Sequence, residues 1–182
     1  MPAALGWWEE RNPGGWLDHR WARSAVLMQR VEHRETLREV CSARPDEARR
    51  RWLGPLAELT ARLHGRGWYH RDLYLQHVVV AAPHQDRAER LVLLDVGRAR
   101  RRARPRRRWF VKDLAALLHS APATIPPRAR LRFLVAYCRL RGLEGRAARR
   151  GLARAVLAKA RRIASHAPRH VDPADRTRES GS

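Results

Sequence analysis

Residues 64 to 97 read HGRGWYHRDLYLQHVVVAAPHQDRAERLVLLDVG, and four of them could do chemistry together: His70, Asp72, His77 and Asp95. The first three lie in a stretch of the form H-R-D-x-x-x-x-H, and Asp95 opens an Asp-Val-Gly triplet at the end of an apolar run. An acid in a polar loop can accept a hydroxyl proton, and an acid at a strand end can hold Mg²⁺ against nucleotide phosphates. The chemistry served by that pair is phosphoryl transfer. Neither triplet decides alone, because the chain is rich in arginine and any strand can end in Asp-x-Gly at a turn. Order and spacing carry the weight: helix, H-R-D loop, strand, reverse turn, strand, D-V-G.

These positions need elements to hold them. A helix over 46 to 64, with Asp46 as a candidate N-cap, carries Trp52, Leu56, Leu59 and Leu63 at helical spacing with Leu53 beside them. Gly54 and Pro55 interrupt it, so it is kinked there or restarts with Pro55 in the first turn of a second helix. Short apolar strands are expected at 77 to 82 and 90 to 95. Upstream, the runs 3 to 9 and 24 to 31 flank a turn-rich stretch and read as an antiparallel pair. Trp7, Trp8, Trp16 and Trp21 cluster there and are read first as packing, second as a stacking platform. A short helix over 35 to 42 follows. Further helices are expected over 109 to 121, over 128 to 141 with Leu131, Leu134, Val135 and Cys138 on one face, and over 144 to 165. Residues 167 to 182 have no apolar period and read as a frayed tail.

With 182 residues and 44% hydrophobic content, the chain supports one ordinary domain with a real core. A formal net charge of +21 favours an anionic partner: nucleic acid, an acidic membrane surface or a phosphorylated substrate. The charge peaks at 98 to 108, RARRRARPRRR, either a solvated flexible loop or, directly after D-V-G, a substrate-holding segment. Cys41 and Cys138 form no C-x-x-C pattern, which indicates neither a disulfide framework nor a zinc site and fits a reducing cytosol. No apolar window is long enough to span a bilayer, so membrane contact would be peripheral.

The blocks HGRGWYHRDLYLQH, LVLLDVGRAR and RRWFVKDLAAL together resemble the lipopolysaccharide core kinases of Gram-negative bacteria, the heptose and Kdo kinase group. The resemblance implies an α+β, protein-kinase-like fold, mainly the helical C-lobe with a small β-sheet remnant of the N-lobe. Residues 1 to 34 would be partial N-lobe strands and hinge, 35 to 166 the C-lobe, and 167 to 182 a disordered tail. It implies ATP with Mg²⁺ as donor and a heptose or Kdo hydroxyl of the inner core as acceptor. Asp72 matches the catalytic base, Asp95 the metal ligand, and His77 the position protein kinases fill with Asn; His77 would bind metal directly, bind it through water, or orient Asp72. Gln29, Arg30, Val31 and Gly97 would face the nucleotide. Arg100, Arg101, Arg102, Arg106 and Arg107 would hold the glycolipid and the anionic membrane surface. His70 would pack beneath the metal loop and Arg71 pair with a nearby anion. Lys112 and Asp113 match the family's K-D pair, as a loop-anchoring ion pair or as substrate contacts.

Upstream of Ser24 there is no G-x-G-x-x-G and no lysine, the only lysines being Lys112 and Lys159. The expectation is therefore an N-lobe largely missing and low activity of this chain alone. The alternatives are a non-catalytic kinase relative and a basic nucleic-acid-binding protein. The second is disfavoured, because Asp72 and Asp95 would repel phosphates without a metal between them. The working expectation is a kinase peripheral to the cytoplasmic face of a Gram-negative inner membrane.

Overall fold

The computed structural model describes residues 4–11, 22–28, 33–83, 88–104 and 106–166. The expected tail and the hinge positions Gln29, Arg30 and Val31 lie outside the described residues, as do the side chains of the tryptophan cluster. Two backbone strands, β1 (Ala4–Arg11) and β2 (Ala22–Met28), pair antiparallel as expected.

A three-stranded antiparallel sheet follows, in the order β3 (His33–Thr36), β5 (Val78–Ala81), β6 (Arg90–Leu93). Strands β5 and β6 fall where the apolar runs put them. The helix expected from residue 35 begins later, as α1 (Leu37–Ala43), because Thr36 caps it. The Thr36 hydroxyl accepts from the Glu39 amide at 3.3 Å and the Glu39 carboxylate accepts from the Thr36 amide at 2.7 Å. This reciprocal capping box fixes the strand-to-helix switch between adjacent residues.

The next helix starts at Pro45, in a single turn α2 (Pro45–Glu47), widens to a π turn at Ala48–Trp52, and continues as α3 (Leu53–Gly65). Pro45 lacks the amide that a first helical position leaves unbonded, which suits it to start the helix. Asp46 is therefore a first-turn residue ion-paired to Arg49 rather than the N-cap. Of the two expected alternatives, a kink or a second helix, neither a gap nor a new cap appears: the helix runs on through the π turn, with Pro55 in the first turn of α3. The π turn brings Trp52 inward, 4% exposed, beside Leu56.

A second, smaller pairing had no signal in the sequence: β4 (Trp68–Tyr69) runs antiparallel to β7 (Arg100–Arg101). Three helices complete the fold: α4 (Arg107–Ser120), α5 (Pro127–Leu140) and α6 (Arg146–Ala164). In α5 the expected face is rotated. Leu131 is 59% exposed, whereas Ala129, Tyr137 and Cys138 are buried. One apolar cluster joins α1, α3 and the sheet, and another joins α4, α5 and α6, with α4 contributing to both. That central helix is what positions the site.

Candidate active site

The H-R-D loop is held from below by α4. Asp113, fully buried, accepts the His70 backbone amide on Oδ2 and the Arg71 amide on Oδ1, both at 2.7 Å. Two turns further on, and so on the same side of the helix, the Ser120 hydroxyl accepts the Leu75 amide at 2.9 Å. One helix thus fixes both ends of the loop that carries Asp72. Arg71 sits at φ 76°, a left-handed conformation costing about 1–2 kcal/mol for a residue with a Cβ, and the Asp113 bond offsets that cost.

Asp113 is itself fixed by His64, whose Nε2 lies 3.2 Å from Oδ2 while Nδ1 lies 2.8 Å from the Tyr137 hydroxyl. A carboxylate only accepts, so Nε2 carries the proton and Nδ1 accepts from the tyrosine. Burial holds His64 below the ordinary imidazole range, against the opposing pull of the Asp113 carboxylate, and pushes Tyr137 up to about 12. A neutral Tyr137 donating to a neutral His64 is consistent with both directions.

His70 packs beneath the loop that carries Asp95: it is fully buried and its Nε2 donates to the Leu94 carbonyl at 3.0 Å. Arg71 departs from expectation. Among the described residues no carboxylate pairs with its guanidinium, which lies over the Trp109 ring, 5.6 Å from its centroid. Tyr69 stacks on that same ring at 5.1 Å, so β4 and the start of α4 share one aromatic layer under the loop.

His77 joins the two acids. Its Nδ1 donates to the Asp72 carbonyl at 2.8 Å, which leaves the Nε2 lone pair facing Asp95 Oδ2 at 3.9 Å. Asp95 adopts φ 51°, and this left-handed turn swings its carboxylate into solvent, 61% exposed, as the chain enters a 3₁₀ turn at Val96–Arg98. Gly97 lies in that turn. The Asp72 carboxylate, only 17% exposed, has Arg98 at 2.8 Å on Oδ2 and Lys112 Nζ at 3.7 Å on Oδ1. Burial lowers the pKa of Lys112, with Arg98 and Arg71 adding to the fall and Asp72 opposing it. Sequence reasoning singled out neither Arg98 nor the His64–Tyr137 support. Arg98 opens the basic run, but nothing in that run distinguishes it from its neighbours.

The exposed carboxylate oxygen and the imidazole lone pair are both donors for a divalent cation, and of the two only Asp95 is the hard oxygen that Mg²⁺ prefers. No group of three or more His, Cys, Asp or Glu able to hold a metal occurs among the described residues. The five arginines expected to meet substrate are all exposed. The run is not simply a loop, because Arg100 and Arg101 pair with β4 and the Arg102 amide donates to the Gly67 carbonyl.

The model for the lipopolysaccharide kinase (Kdo/WaaP) family matches residues 17–137, well over half of the chain. The chain belongs to that family. It is similar to the lipopolysaccharide core heptose(I) kinase WaaP of Pseudomonas aeruginosa, 35% identical over 98 residues, covering 52% of this chain and 37% of that relative's length. A solved structure of WaaP in complex with acyl carrier protein matches with a TM-score of 0.66 at 28% identity, covering 90% of this chain and 69% of that one. The kinase-like α+β fold expected from the motifs is therefore the fold of the chain.

Apart from this site, a cavity of about 450 Å³ opens between α1, α3, α4, α5 and α6. Leu37, Trp52, Leu117 and Phe133 line it, and the exposed Leu131 and Leu157 stand at its wall.

Proposed function

We propose that the protein is a kinase that transfers a phosphoryl group from ATP to a sugar hydroxyl, heptose or Kdo, of the lipopolysaccharide inner core. The observation that carries this is His77, which is hydrogen-bonded through Nδ1 to the Asp72 carbonyl and has Nε2 3.9 Å from the Asp95 carboxylate, so that the proposed base and the proposed metal ligand lie on either side of one imidazole. Asp72 accepts the hydroxyl proton, and Asp113 and Ser120 hold the loop so that the carboxylate keeps its aim. Asp95, with His77 beside it, would hold Mg²⁺, which supplies charge neutralisation for the phosphate oxygens. Positioning is most of phosphoryl-transfer catalysis, and every contact named here serves it. The test is ATP-dependent phosphorylation of dephosphorylated core oligosaccharide, with loss of transfer in Asp72→Asn expected and unaltered transfer refuting the reading. The exposed arginines of the basic run would hold the phosphate-rich glycolipid and the anionic leaflet, peripheral to the membrane. Among the described residues no helix is long and apolar enough to cross it.

A partner reading rests on the cavity. Its volume falls within the roughly 300–1,000 Å³ of small-molecule pockets, and its lining is almost wholly apolar, which suits a hydrocarbon chain. Acyl carrier proteins deliver such chains, and the solved relative is in complex with one. Arg50, Arg128 and Arg132, with no acidic partner among the described residues, line an adjoining opening together with Arg49 and suit an acidic carrier. Acylated carrier should raise the melting temperature of the protein more than the unacylated carrier does. Equal melting curves with both would sink the partner reading and leave the kinase reading untouched.

A further inference from the structure

Lys112 and Asp113 are adjacent in sequence and opposite in use. Asp113 is spent in the interior on the H-R-D backbone and His64. Lys112 instead turns its ammonium to the Asp72 carboxylate, with its side chain only 24% exposed. Its 3.7 Å approach to Oδ1 is longer than the roughly 2.7–2.9 Å of a full charge-assisted hydrogen bond. Asp72's other oxygen is already taken by Arg98 at 2.8 Å. The Arg71 guanidinium lies over Trp109 and adds a third positive charge that Lys112 feels. Asp72 alone cannot neutralise three positive charges. A half-buried ammonium with so partial a partner is costly unless an anion completes it. Composition points the same way: Lys112 and Lys159 are the only lysines in a chain of 182 residues whose other basic side chains are Arg or His. A compact ammonium acts as a point charge with three rotatable donors rather than as a planar fork.

We infer that Lys112 is a phosphoryl-binding catalytic residue whose ammonium holds the γ-phosphoryl group of the nucleotide beside Asp72 Oδ1. This rests on the kinase reading above. In the step, the sugar O–H bond breaks and its proton passes to Asp72. The sugar oxygen forms a bond to the γ-phosphorus, and the bond from that phosphorus to the β-γ bridging oxygen breaks, with its electron pair leaving on ADP. Lys112 stays protonated throughout and neutralises charge on the transferring oxygens. Since Arg98 occupies Oδ2, Oδ1 is the oxygen left for the proton, and that is the oxygen Lys112 faces.

The test compares parent, Lys112→Met and Lys112→Arg for dissociation constants of ATP and of ADP with Mg²⁺ present, alongside transfer to core oligosaccharide. The γ-phosphate distinguishes the two nucleotides, so Lys112→Met should lose about tenfold of the preference for ATP over ADP. Its kcat should fall about a hundredfold with the KM for sugar little changed. Lys112→Arg should recover part of both. An unchanged ATP-to-ADP ratio in Lys112→Met overturns the inference even if turnover falls, because Lys112 would then only neutralise Asp72. Asp72→Asn keeps the two ideas apart: its full activity would overturn the kinase reading itself, whereas its inactivity beside an unchanged ratio removes only the role of Lys112.

Discussion

Replacing Asp113 by Asn changes one atom type in a fully buried side chain, and the geometry says which bond is lost. Oδ2 serves the His70 amide and His64 Nε2, whereas Oδ1 serves only the Arg71 amide. The amide oxygen of Asn will take the Oδ2 position, where two donors converge, and its NH₂ will then face the Arg71 N–H, donor against donor. A buried amide left without an acceptor costs about 1–3 kcal/mol, and the remaining bonds lose their charge assistance, so about 2–4 kcal/mol is expected in all. For a chain of this size each kcal/mol moves the melting temperature by about 2–4 °C, which puts Asp113→Asn roughly 5–15 °C below the parent. Arg71, released from φ 76°, will relax and carry Asp72 with it, and a displacement of about 1 Å at a reacting group costs on the order of a hundredfold in rate. Thermal denaturation followed by circular dichroism and the transfer assay measure the two effects. A variant that melts within about 1 °C of the parent with full turnover would refute the anchoring role of α4.

Gly67 has φ 78°, and a Cβ there would lie 2.4 Å from the Arg102 carbonyl oxygen, so Gly67→Ala should cost at least about 2 kcal/mol by combining left-handed strain with a backbone clash. Limited trypsin digestion should then cut the basic run faster than in the parent, and equal rates would count against the β4–β7 clamp. His64, held below its ordinary pKa by burial, is charged more readily in the unfolded chain than in the folded one. Its contribution to stability is therefore complete above the unfolded value of about 6.5 and is lost as pH falls below that value toward the lowered folded one. The melting temperature of His64→Gln should accordingly fall less than the parent's between pH 7 and pH 5; parallel curves would exclude His64 as the source. Replacing Arg100, Arg101, Arg102, Arg106 and Arg107 by Gln should barely change melting but weaken binding to anionic glycolipid vesicles at low salt, an effect screened over about 10 Å at about 0.1 M. Equal binding by both proteins would remove these arginines from substrate recognition.

What was legible in the sequence is what local rules govern. The antiparallel strands β5 and β6, the irregularity just ahead of Pro55 and the helices after residue 107 follow from apolar period, Gly and Pro, because those signals act within a few residues. Asp72 and Asp95 could be singled out because H-R-D and D-V-G each sit at a junction whose chemistry their residue types announce. The same short range explains the misses. β4 and β7 are two-residue strands separated by thirty positions, and only the closed fold brings Trp68 opposite Arg101. Leu131 fits the helical period yet faces out, because the partners packed on α5 choose its buried stripe. The K-D pair looked like one unit, but successive helical residues point about 100° apart, so Asp113 went inward to the loop and Lys112 outward to Asp72. Residue types marked which acids could do chemistry; only tertiary packing, through α4 and His77, decided that they stand close to one another.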